Sequence, residues 1–201
     1  MAVSRRFLIA ALPALSAWAL SACDMVGGKP QFKAVDITGA DYAQDLDLND
    51  TDGKRRHIAD FKGKITVVFF GFTQCPDVCP TTMLELAEVK KALGADGARV
   101  QGVFITVDHE RDSPEVLKAY VNNFSPDFVA LRGNADETKA AAKRFKVFYA
   151  KVPGKTEGSY TMDHTAGSYI FDAQSKIRLF TRYGGGAEAL KHDLQLLLKQ
   201  G

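Results

Sequence analysis

The run Ile65-Thr66-Val67-Val68-Phe69-Phe70 narrows the folds open to this chain more than any other stretch. Apolar or β-branched at every position, with no polar alternation, it suits a strand covered on both faces in the middle of a sheet. Residues 100–107 have the same character. Between the two runs, residues 81–93 repeat apolar side chains at helical spacing through Leu84, Leu86, Ala87, Val89 and Leu93, and Gly94 ends the pattern. Ser113-Pro114-Glu115 is a helix start with proline in the first turn, continued over 116–124. A short strand at 128–131, a helix at 135–145 and another short strand at 147–150 follow. Strands at 168–172 and 176–183 then flank a turn at 173–175, and Gly184-Gly185-Gly186 leads into an amphipathic helix over 187–199. Upstream, 45–48 and 56–61 read as the arms of a hairpin around the turn formers of 49–53. The series predicts one α/β domain over 45–201, with a mixed central sheet, flanking helices and an added N-terminal β-hairpin.

The N-terminus carries an export signal. Arg5-Arg6 precede an apolar stretch of 14 residues, Phe7 to Leu20, too short for a bilayer span of about 20 residues. It closes on Leu20-Ser21-Ala22-Cys23, which resembles the lipobox of bacterial lipoproteins. Residues 1–22 are then a signal peptide, Cys23 the acylated first residue, and 23–44, with Gly27-Gly28 and Pro30, a flexible tether. An uncleaved N-terminal anchor starts from the same apolar run. Both place the domain outside the cytoplasm, at the periplasmic face of a bacterial inner membrane; on the lipoprotein reading, Asp24 resembles the residue that keeps such proteins in that membrane. The formal charge of +2 comes from Arg5 and Arg6 alone; beyond Cys23 the basic and acidic residues balance at 24 each. With no concentrated basic surface, nucleic-acid binding is excluded.

Once Cys23 is set aside, Cys75 and Cys79 are left as one close pair. An exported protein with such a pair allows a structural disulfide, a redox dithiol or a metal site. The five-residue loop removes little unfolded-state entropy, so stability is a weak reason for a disulfide. Cys75-Pro76-Asp77-Val78-Cys79-Pro80 lies between the buried strand and the next helix, where free backbone N–H groups favour thiolate. Thiolate both attacks disulfides and binds metal, so the placement suits either chemistry. The usual dithiol motif has two residues between its cysteines. Three intervene here, a looser pair able to close around a metal, and soft sulfur donors favour copper(I) or zinc.

Residues 71–80, with Thr106-Val107-Asp108-His109-Glu110-Arg111-Asp112 and Asp163-His164-Thr165, resemble the motifs of the Sco (SenC/PrrC) family in order and spacing. The resemblance covers the chain from about Leu46 onward. It implies a thioredoxin-like fold and a copper ion, Cu(I) or Cu(II), held by Cys75, Cys79 and His164. It also implies assembly of the dinuclear copper A centre of cytochrome c oxidase, with oxidase subunit II and other periplasmic copper chaperones as partners. Asp108 matches an acidic position near the metal; Asp163 and Asp77 are weaker candidates for that role. In thioredoxin-like reductases a cis-proline faces the cysteines, whereas here Asp163-His164-Thr165-Ala166 offers an imidazole there.

Two functions fit these residues: a metallochaperone, and a thiol-disulfide reductase that keeps the acceptor's cysteines reduced with Cys75 and Cys79 as redox-active thiols. A peroxidase of peroxiredoxin type lacks its motif around either cysteine. His109 stands where the family more often has proline and reads as an exposed loop residue. His57 and His192 read as solvated, and Met83 and Met162 as core fillers rather than thioether ligands.

Overall fold

The computed structural model describes residues 31–201; the export signal and Cys23 lie outside the described residues. Its centre is β4 (Ile65–Gly71), every residue of which is buried. It pairs in parallel with β5 (Val100–Thr106) and antiparallel with β9 (Gly167–Phe171), so the run that most constrained the fold is interior on both edges and both faces. β6 (Val129–Arg132) extends the sheet beyond β5, and β10 (Ile177–Arg182) beyond β9. The hairpin of β2 (Leu48–Asp50) and β3 (Arg55–Arg56) closes one edge and β1 (Val35–Asp36) the other. The strand order is β1-β10-β9-β4-β5-β6-β2-β3, a mixed sheet as expected.

Alternation along β4 divides the helices between two layers. Phe70 meets Phe145 of α3 (Ala135–Phe145) at 5.1 Å between ring centroids. On the opposite face, Val67 and Phe69 line a small pocket with Met83 and Leu86 of α1 (Val78–Ala92) and Leu190 of α4 (Ala187–Leu198). Helix α2 (Pro114–Asn122) packs against β6 and starts as its sequence requires, with Pro114 in the first turn and Ser113 Oγ accepting the Val116 amide at 3.3 Å. Among the described residues no helix is long and apolar enough to cross a membrane.

Four expectations change. The second arm of the hairpin is only two residues long, and 58–61 turn instead into a short 3₁₀ helix that buries Ile58 and Phe61. Residues 33–44, expected in the tether, join the fold: the amides of Lys33 and Ala34 donate to Asp193 at 2.8 Å each, β1 pairs with β10, and Ala43 is wholly buried. Helix α1 begins three residues before 81, because Pro80 falls in the first turn, where a missing N–H costs nothing. Finally, a ribbon of β7 (Tyr149–Pro153) and β8 (Tyr160–His164) stands apart from the main sheet, and β8 has no counterpart in the sequence reading.

Candidate metal centre

The early start of α1 puts Cys79 in its first turn and makes it the first member of the buried stripe Cys79, Met83, Leu86 and Val89. Leu84, expected on that stripe, is 51% exposed. Cys79 is therefore held as core residues are held, by packing. Cys75 lies one loop earlier and stays half-exposed, with its sulfur accepting the Cys79 amide at 3.4 Å. Both are free thiols. His164 ends β8 and turns its ring inward between the edges of Phe69 and Phe72, each 5.9 Å away between centroids.

The tautomer of His164 follows from its neighbours. Nδ1 lies 3.1 Å from the Thr165 carbonyl, which can only accept, so Nδ1 carries the hydrogen and Nε2 is left with its lone pair. That lone pair faces Cys79 Sγ at 3.4 Å. Burial lowers the imidazole below its ordinary pKa and pushes the Cys79 thiol up. In the metal-free protein the contact is thus a neutral thiol donating to a neutral imidazole. This corrects the expectation that the helix start favours thiolate at both cysteines: at Cys79 desolvation outweighs the helix end, and only a metal brings compensating charge.

One ligand atom from each of Cys75, Cys79 and His164 lies within 4.8 Å of the others, close enough to surround one ion. Two sulfurs and an imidazole suit a soft or borderline cation, and copper in either common oxidation state fits that donor set. The hydrogen bond from Nδ1 fixes the ring as a ligand's outer partner does. The acidic candidates are elsewhere. Asp77 sits exposed at the N-cap of α1, and Asp163 faces outward on β8. Asp108 is 1% exposed and is bound by Arg111 and by the Tyr160 hydroxyl. Met83 and Met162 fill the core. His57 pairs with Asp45 and Asp47 at the surface, and His192 lies against Asp193.

Two residues that the sequence reading passed over brace the cysteine loop. Asp112, wholly buried, accepts the Thr73 amide at 3.1 Å, the Thr73 hydroxyl at 2.6 Å and the Thr106 hydroxyl at 2.5 Å. Burial raises its carboxyl even so. Thr73 is two residues from Cys75, so this network sets where the loop leaves β4. Both residues stood inside recognised motifs, but nothing in the sequence pairs them.

Comparison with known proteins gives a consistent picture. The model of the SCO1/SenC family matches residues 35–199. A SCO2-like protein of Rickettsia felis is 39% identical over 133 residues, 66% of this chain and 65% of that one. The chain thus spans between about half and two thirds of the length of the curated relatives it matches, from 53% to 65%. Among solved structures, Bradyrhizobium japonicum ScoI with copper bound is 38% identical with a TM-score of 0.68, covering 76% of this chain and 97% of the other. Yeast Sco1 with copper bound is 30% identical with a TM-score of 0.70, covering 78% and 88%.

Proposed function

The chain belongs to the SCO1/SenC family, and from that premise we propose that it is a copper metallochaperone holding one copper ion through Cys75, Cys79 and His164. The observation that carries the proposal is the convergence of the three ligand atoms within 4.8 Å, with Nε2 aimed at Cys79 by the hydrogen bond on Nδ1. The copper-bound relatives of similar fold supply the choice of metal. Copper is cargo. Buried Cys79 retains it from within, while Cys75 and His164, both partly exposed, are the ligands that an acceptor can replace first. The acceptor proposed is the copper A site of cytochrome c oxidase subunit II, with other periplasmic copper chaperones as donors. The domain works outside the cytoplasm, at the inner membrane, through an acylated Cys23 or an uncleaved anchor.

Titration of the purified protein with copper(II) tests this reading. One equivalent brings thiolate-to-copper charge-transfer absorption, and His164→Ala weakens binding by more than about 100-fold, beyond the loss of a ligand's outer partner. Absence of the charge-transfer bands in the wild type overturns the metal site. The copper-loaded protein then forms the dinuclear centre in metal-free subunit II. Full support of oxidase assembly by His164→Ala would show that the protein acts instead as a thiol-disulfide reductase.

A further inference from the structure

The β7–β8 ribbon carries His164 but buries little of itself. Of its ten residues, only Met162 is buried, and the ribbon pairs with no strand of the main sheet. A two-stranded ribbon is marginally stable on its own in water, so the place of His164 depends on what fastens the ribbon to the domain. At the His164 end, Thr165 and Phe148 continue the ribbon's own ladder, the Thr165 amide donating to the Phe148 carbonyl at 2.9 Å and its hydroxyl accepting the Phe148 amide at 3.0 Å. The chain then runs into β9 at Gly167, with the Tyr183 amide donating to the Ala166 carbonyl at 3.1 Å. The surface pair Lys151–Glu110 adds little, because both partners are about half exposed.

The other end is held by Arg111, whose side chain is 21% exposed. Its Nη1 donates to the Tyr160 carbonyl at 2.8 Å, and its guanidinium lies 3.7 Å from the centroid of the Tyr160 ring. Nε pairs with Asp108 Oδ2, while the Tyr160 hydroxyl donates to Asp108 Oδ1 at 2.8 Å. Nη1 also reaches Gln74 Oε1 at 3.1 Å, beside Cys75. One planar cation therefore touches the segment after β5, the cysteine loop and the first residue of the strand that ends in His164.

We propose that Arg111 is the positioning residue of the metal centre: it fixes the β7–β8 ribbon, and with it His164, against Cys75 and Cys79. Asp108 acts through it, as the buried anion that orients the guanidinium and the Tyr160 hydroxyl. Lysine cannot replace it, because a single ammonium does not span the Asp108 carboxylate and the Tyr160 carbonyl while stacking on the ring. The proposal rests on His164 being a copper ligand, and its test separates the two.

Two variants are needed, since loss of Arg111 alone leaves Asp108 buried without its cation. Arg111→Lys keeps a charge beside Asp108, and Arg111→Met with Asp108→Asn removes both charges. In the metal-free protein, amide exchange over Tyr160–His164 is expected to rise on the order of tenfold in both, as loss of a charge-assisted bond implies, with β4 unchanged. With copper(II), the imidazole nitrogen coupling in the electron paramagnetic resonance spectrum is expected to weaken. Copper release is expected to quicken about 10- to 100-fold. Unchanged ribbon exchange in both variants overturns the proposal, as does faster exchange with nitrogen coupling and copper release unaltered. A wild-type spectrum without imidazole coupling counts against His164 as a ligand, whereas the exchange data still decide whether Arg111 holds the ribbon.

Discussion

A Cβ added to Gly71 would lie 2.9 Å from Cys79 Sγ, and equally close to Phe104 Cε2 and Phe69 Cε1. Both rings and the sulfur are buried in the core, so the added methyl displaces packed atoms whichever of them moves, the ligand sulfur among them. Gly71→Ala is therefore expected to cost about 1–3 kcal/mol, as overpacking does, and to weaken copper binding along with stability. Urea unfolding and a copper titration of the variant check both; unchanged values would mean that the sulfur has room the geometry denies. Cys75, Cys79 and His164 could be singled out in the sequence because they stand in motifs that resemble those of the Sco family, and the structure brings one ligand atom of each within 4.8 Å of the others. Arg111, Asp112, Thr73 and Tyr160 could not be read as supports, because each earns its role from a partner distant in sequence. The cysteines show the same limit: a helix start argues for thiolate, and only the packed structure reveals that burial outweighs it at Cys79.

Elements buried on both faces were legible nearly to the residue, since β4 and β5 need no information beyond their own composition. Elements whose boundaries depend on neighbours were not. The stripe of α1 shifted because Cys79 and Met83, rather than Leu84, face the sheet, and β8 was missed because Tyr160-Thr161-Met162-Asp163-His164 buries only one side chain. The start of the fold was misplaced for a related reason: residues 33–36 have no hydrophobic pattern, and their order comes from Asp193, a 1%-exposed carboxylate on α4 that accepts two backbone amides. Asp193→Ala is expected to leave those amides without an acceptor, at about 1–3 kcal/mol. The loss falls on the element it pins. Amide exchange at Lys33 and Ala34 should quicken while β4 keeps its protection, and equal acceleration throughout the sheet would show that β1 is integral to global stability.

For the molecule as a whole, copper, protons and folding are linked through the same three side chains. A ligand bound only by the folded state stabilises it by mass action, about 4 kcal/mol at a free concentration 1,000 times the dissociation constant. Proton competition then sets how that stabilisation varies with pH. Cys79, pushed up by burial, enters the complex as a thiol and must release its proton, so apparent affinity should rise about tenfold per pH unit from this residue through the neutral range. His164 contributes no such slope near neutrality, because burial lowers its pKa and leaves it already unprotonated. In the copper-free protein the sign for His164 is equally definite. The unfolded chain takes up a proton near its ordinary pKa of about 6.5 before the folded chain does, so its effect is absent above that pH and costs stability as pH falls toward the lowered folded value. Copper titrations at several pH values between about 6 and 8 should therefore show affinity climbing with pH. Cys79→Ser should reduce the slope by one proton as it weakens binding. A slope equal to that of the wild type would mean that the Cys79 proton is lost before copper arrives, and would overturn the neutral thiol–imidazole contact as the resting state of the site.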